Sequence, residues 1–121
     1  MGAYQHLQVA KQADVFVVRF VEQQLVGNLP TDVAEELYVL AAQEDCKSIL
    51  VNLSGVDIMS SEMYGRLISL NRRMEQKGGR LKLCEVAPKV REVLETTRLD
   101  EIFDVRETEA AGLAAFGQEP V

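Results

Sequence analysis

Two adjacent serines, Ser60 and Ser61, are the residues of this chain best placed to do chemistry. They stand inside residues 49–70, which read ILVNLSGVDIMSSEMYGRLISL: an apolar run, a polar turn, the serine pair and an amphipathic stretch. An apolar run bounded by turn residues suits a buried parallel strand, and Met63, Leu67, Leu70 and Met74 recur at the spacing of one helix face. The pair therefore falls where a strand hands over to a helix N-terminus. Unpaired backbone N–H groups and the positive end of the helix dipole converge at such a place, which favours chemistry on phosphate or hydroxyl groups. The same place also asks for a cap: the hydroxyl of Ser60 or Ser61 can accept a bond from an N–H two or three residues on, worth about 1 kcal/mol. One serine suffices as the cap, and the other is a candidate regulatory hydroxyl. Phosphate there would add a charge of about −1.5 to −2, which a partner surface built for neutral serine would reject.

Other reactive constellations are poorly supplied. His6 is the only histidine and lies in an early apolar segment, so a structural or solvent-facing role is expected of it. Neither GxxxxGK[ST] nor GxGxxG occurs, which removes the usual phosphate-cradling nucleotide loops. Asp57 is the carboxylate preceding the serines, whereas Glu35, Glu36, Glu75, Glu92 and Glu95 are scattered as helix-surface charges. No general base stands at a sensible position for Ser61, so an enzyme is not expected, and neither is a cofactor. Cys46 and Cys84 have no companion Cys or His cluster and read as reduced structural thiols rather than a metal site.

The elements that must position the serines follow from pattern and punctuation. Residues 6–10 and 15–21 read as two strands of a hairpin joined by the polar KQAD, the second strand buried on both faces. Gly27, Asn28 and Pro30 form a loop leading into a helix capped by Thr31 or Asp32 and running to about Gln43. A strand over residues 48–53 precedes the serine corner, and a helix over 61–76 follows it, stopped by Lys77-Gly78-Gly79. A short strand at 80–84, a helix opened by Pro88, a strand at 103–105 and a helix at 109–116 complete the chain. The order β-β-α-β-α-β-α-β-α predicts an α/β fold with a mixed sheet of four to five strands: parallel in its alternating part, with the opening hairpin as an antiparallel edge.

A chain of 121 residues is expected to form one domain, 1–121, with a core over about 5–117. The formal net charge of −6 argues against a nucleic-acid surface and favours a basic protein partner. No apolar run approaches the roughly 18 residues that span a bilayer, and the N-terminus lacks a secretory signal, so a cytoplasmic protein without membrane insertion is expected. The apolar residues are accounted for by core faces, which predicts a monomer or a weak dimer.

Residues 51–105, from VNLSGVDIMSSEMYGRL to RLDEIFDV, resemble the STAS domain of bacterial anti-sigma factor antagonists, and a weaker match of residues 15–40 extends the resemblance over nearly the whole chain. The family's helix-start motif is roughly Asp-Ser-Ser-Gly. With the register set by Leu53-Ser54-Gly55-Val56, Ser60 stands at its Asp, Ser61 at its first Ser, Glu62 at its second Ser and Met63 at its Gly, while Gly65 matches a further family glycine. The resemblance implies a sheet with helices mainly on one side. It further implies a non-enzymatic regulator that binds an anti-sigma factor with serine-kinase activity and is released when Ser61, or less readily Ser60, is phosphorylated. A PP2C-type phosphatase would be a further partner. Asp57, Ser60, Ser61, Glu62, Arg66, Ser69, Arg72 and Arg73 are the expected docking residues. The alternative is a STAS module that is not phosphorylated and acts as a scaffold or transporter accessory subunit.

Overall fold

A computed structural model describes residues 4–118, so the two ends of the expected domain lie outside the described residues. Seven strands and four α-helices follow in the order β1 (Leu7–Gln12), β2 (Val15–Phe20), β3 (Gln24–Leu25), α1 (Leu29–Ala41), β4 (Ser48–Asn52), β5 (Ile58–Met59), α2 (Ser61–Gln76), β6 (Arg80–Cys84), α3 (Pro88–Thr96), β7 (Asp104–Arg106) and α4 (Glu109–Gln118), with a 3-10 turn at Leu99–Glu101. Five strands form one mixed sheet in the order β1-β2-β4-β6-β7, antiparallel only at β1–β2. The fold is therefore the mixed α/β sheet that the alternation predicts, with β3 and β5 added as a separate parallel pair.

The period-2 geometry of the strands divides their apolar side chains between two faces. Phe16, Val18 and Phe20 of β2, Ile49 and Val51 of β4 and Leu81 and Leu83 of β6 join the larger core with Val33, Leu37 and Leu40 of α1, Met63, Leu67, Leu70 and Met74 of α2, and Val90 and Leu94 of α3. Val15, Val17, Leu50 and Cys84 point the other way and pack with Leu113 and Phe116 of α4. Three helices thus share one face and α4 alone takes the second. Gly112 permits that second layer: a Cβ there would lie 2.7 Å from Leu50 Cδ1. Lys82 also faces this layer at 2% exposure, its ammonium 2.7 Å from Asp104 Oδ2 and 4.9 Å from the Phe116 ring centre.

Several boundaries depart from the sequence-based expectation. The hairpin strands continue through Lys11 and Gln12, leaving Ala13-Asp14 as a two-residue turn with Ala13 at φ 53°. Helix α1 begins at Leu29 rather than after Thr31 or Asp32. Gly27 at φ 66° turns the chain, Pro30 sits in the first turn where its missing N–H costs nothing, and the flanking Asn28 makes no side-chain cap bond. The last strand begins one residue later than expected, at Asp104. Helix α2 has the predicted bounds, and Gly78 at φ 78° closes it. Gly79 N–H donates to Met74 O at 2.7 Å, and a Cβ on Gly79 would stand 2.6 Å from Lys47 O, so the glycine pair both ends α2 and lets β6 enter beside β4.

Candidate functional site

The serine corner is built from the end of β4 outward. Asn52, 1% exposed, accepts from Ser54 N–H with Oδ1 (2.8 Å), and Leu53 N–H donates to Cys84 O (2.9 Å). The chain turns through Gly55 at φ 87° and then forms β5, tied to the segment before α1 by Asp57 N–H to Gln23 O (2.9 Å) and Ser60 N–H to Leu25 O (3.1 Å). This two-strand clamp delivers the chain to α2 at a fixed position. Its strands are too short to carry a periodic signal, and sequence reasoning left them inside loops.

At the corner the two serines divide the work. Ser60 has extended backbone (φ −75°, ψ 165°) and is the cap, its Oγ accepting from Met63 N–H at 3.3 Å. Ser61 is the first residue of α2, is exposed, and has no capping duty. The first-turn N–H groups of Ser61 and Glu62 have no intrahelical acceptor, as at any helix start.

Glu62 leans away along the flank of α2 toward α1. Its Oε2 accepts from Arg66 Nη2 (3.2 Å) and from Thr31 Oγ1 (3.2 Å), and Arg66 Nη2 also reaches Thr31 Oγ1 at 3.5 Å. The hydrogen bond to Glu62, followed by one to Tyr38, raises the pKa of Arg66 further above its ordinary value. The carboxylate beside Ser61 is therefore held in an ion pair. Further along the same flank the Arg73 guanidinium stacks 3.9 Å over the Tyr38 ring, a cation–π contact that ties it to α1.

Of the expected docking residues, Ser60 is taken up as the cap and the others fall into two groups. Ser61, the half-buried Ser69 and Arg72 form one stripe on α2, on which Gly65 also lies, with Asp57 exposed on the loop before it. Glu62, Arg66 and Arg73 line the seam with α1. Thr31 and Tyr38 belong to that seam and were missed; Tyr38 looks like an ordinary amphipathic-helix residue, and its stacking partner lies on another element.

The remaining reactive groups are engaged elsewhere. His6 Nδ1 is 2.7 Å from Glu22 Oε2, and this bond raises the imidazole pKa above 6.5. Burial pushes the Cys46 thiol up to about 11 and Cys84 up to about 12, so both remain protonated thiols at neutral pH. Among the described residues no group of three or more His, Cys, Asp or Glu side chains could hold a metal ion, and no helix is long and apolar enough to cross a membrane.

Comparison with known proteins agrees with this architecture. The family model of the STAS domain matches residues 6–112. A Bordetella bronchiseptica protein, BtrV, assigned as a candidate anti-sigma factor antagonist, is 36% identical over 86 residues, which cover 69% of this chain and 74% of that protein. The structure of a STAS domain anti-sigma-factor antagonist from Planctomyces limnophilus superposes with a TM-score of 0.82 at 27% identity, over 93% of this chain and 98% of that one. The Bacillus cell fate determinant SpoIIAA in its phosphorylated form shares the fold at a TM-score of 0.70 and 19% identity, over 91% and 98% of the two chains. With the family model matched over most of its length and the same mixed sheet and helix order, this chain belongs to the STAS domain family.

Proposed function

We propose that this protein is an anti-sigma factor antagonist of the partner-switching type, with Ser61 as the phosphate acceptor and the outward stripe of α2 as the docking face. The division between Ser60 and Ser61 carries this reading: the cap is supplied by one hydroxyl, and the neighbouring one stands exposed without a structural task. Phosphate on Ser61 would lie beside the free first-turn N–H groups, which tolerate its charge within this chain, while presenting it to whatever sits on the stripe. Gly65 supports the same face. It lies in the first turns of α2 and on the stripe, where a glycine costs about 0.5–1 kcal/mol relative to alanine. A Cβ there would meet nothing within 4 Å, so the fold does not require its absence, whereas close approach by a partner would.

The partner is accordingly an anti-sigma factor, the class of partner that BtrV's assignment favours, and the exposed Ser61 hydroxyl is what asks that it carry serine-kinase activity. The test uses the kinase paired with this protein and ATP. Phosphate should appear on Ser61 by mass spectrometry, Ser61→Asp should weaken binding at least tenfold, and Gly65→Ala should weaken it while stabilising the fold by about 0.5–1 kcal/mol. Phosphate elsewhere, or undiminished binding by Ser61→Asp, would overturn the switch.

A further inference from the structure

We infer that Arg66 and Thr31, given the partner-switching reading of Ser61 on which this rests, regulate that same site. They hold the Glu62 carboxylate aside, so that the phosphate state of Ser61 alone sets the charge of the docking face. Glu62 follows Ser61 directly, so a chain switched by a negative phosphate carries a second negative group beside the switch in every state. A carboxylate in the first turn of a helix is also attracted by the free N–H groups there, which would draw it toward the serine corner.

Two donors turn Glu62 the other way. Arg66 lies four positions on, the favourable order for an acid preceding its cation on one helix flank, and its Nη2 stands 3.2 Å from Glu62 Oε2. Thr31 of α1 donates its hydroxyl to the same oxygen at 3.2 Å, and Arg66 Nη2 is 3.5 Å from Thr31 Oγ1. Three side chains from two helices thus close on one another around a single carboxylate oxygen. Helix α1 begins at Leu29, so Thr31 is not its cap and its hydroxyl is left for this contact. Tyr38 steadies the arrangement, its hydroxyl donating to Arg66 O at 3.5 Å while its ring carries Arg73.

Exposure gives the pairing its consequence. The Glu62 and Arg66 side chains are 48% and 35% exposed, so either charge alone would act on a molecule seated on α2. Together they cancel for that molecule, within a Debye length of about 10 Å at 0.1 M salt. Without Arg66 the face gains one uncompensated negative charge next to Ser61, of the same sign as the roughly −1.5 to −2 that phosphate adds. Loss of Arg66 should therefore carry the unphosphorylated protein part of the way toward its released state. Thr31 contributes orientation without charge, and its loss should act in the same direction more weakly.

The clamp is tested first without a partner, in the full chain carrying Ser61→Cys. The introduced thiol reports the charge at position 61 through its iodoacetamide rate near neutral pH, because only the thiolate reacts. The buried Cys46 and Cys84 thiols, pushed up to about 11 and about 12, stay silent. Glu62→Gln should change the rate less than about 1.5-fold with Arg66 in place, and raise it at least threefold in an Arg66→Gln background. Equal effects in both backgrounds would mean independent charges and overturn the clamp.

The consequence is read with Ser61 restored, by binding to the kinase paired with this protein. Arg66→Gln should weaken binding at least threefold, though less than Ser61→Asp does, and Thr31→Val about twofold. Adding Glu62→Gln to Arg66→Gln should bring binding back to within about twofold of the parent, which also excludes unfolding as the cause of the loss. Absence of that rescue would assign Arg66 to a direct partner contact and overturn the inference. Undiminished binding of Ser61→Asp would overturn the switch and with it the regulatory role, while the thiol rates would still decide the clamp.

Discussion

Helices α2 and α4 start on opposite faces of the same sheet, and they meet the demands of a helix start in opposite ways. At α4, Thr108 Oγ1 accepts from Ala111 N–H (3.0 Å), Glu85 Oε2 accepts from Glu109 N–H (2.8 Å), and Glu109 Oε1 takes Asn52 Nδ2 (2.7 Å) and Arg19 Nη2 (3.0 Å). That start is closed by side chains from three strands or their ends. At α2 the cap is the single Ser60 hydroxyl, and Ser61 beside it is exposed. A helix start wired into the protein serves stability, while one left open has donors and a hydroxyl to spare for another molecule. Asn52 joins the two, because the amide that bonds Glu109 also holds the turn leading into the serine corner.

The largest test of the contrast is Asn52→Ala, which strands Ser54 N–H and removes a buried donor from Glu109. It should cost about 2–3 kcal/mol in urea unfolding, as expected for buried groups left unpaired. A loss below about 1 kcal/mol would mean that packing alone holds the start of α4. At the other start, Ser60→Ala should cost about 1 kcal/mol as a lost cap. Ser61→Ala should stay within about 0.5 kcal/mol of the parent, the usual range for an exposed position. Equal losses in thermal unfolding would show that both hydroxyls serve the fold.

The smallest effect is on acid stability. The bond from Arg19, then that from Asn52, holds the Glu109 carboxyl below its ordinary 4.5. A depressed carboxyl contributes stability that is present above the unfolded value and lost as pH falls through the folded one. Glu109→Gln should therefore flatten the acid limb of a stability-against-pH curve while leaving the neutral region parallel to the parent. Asp104, lowered by its bonds to Arg106 and Lys82, supplies the acid dependence that remains. An unchanged acid limb in Glu109→Gln would break the assignment of α4's closure to an ionised carboxylate.

How legible each start was in the sequence depends on where its partners come from. Helix α2 could be bounded correctly because its cap and its glycine stop are local: Ser60, Ser61 and Lys77-Gly78-Gly79 are contiguous with the helix they delimit. The start of α1 was misplaced because Thr31 and Asp32 are good caps by residue type. The structure uses Thr31 instead as a donor to Glu62, thirty-one positions away. A comparable distance in sequence hid the Arg73–Tyr38 stack and the β3–β5 clamp, whose two-residue strands exist only because each has the other. The closure of α4 draws on Arg19, Asn52 and Glu85, none of which carries a local sign of that role.

The hairpin turn at Ala13-Asp14 has a consequence for the order in which the molecule can assemble. Strands β1 and β2 are joined by two residues, whereas every other pairing in the main sheet waits for a helical crossover. Local hairpins close in about 1–10 μs, and pairings distant in sequence must first offset the entropy of closing a long loop. The hairpin is thus the one part of the sheet that can form early, and β2 is the template on which β4 docks. The serine corner, which needs β4 in place and the β3–β5 clamp closed, is completed only after that template exists.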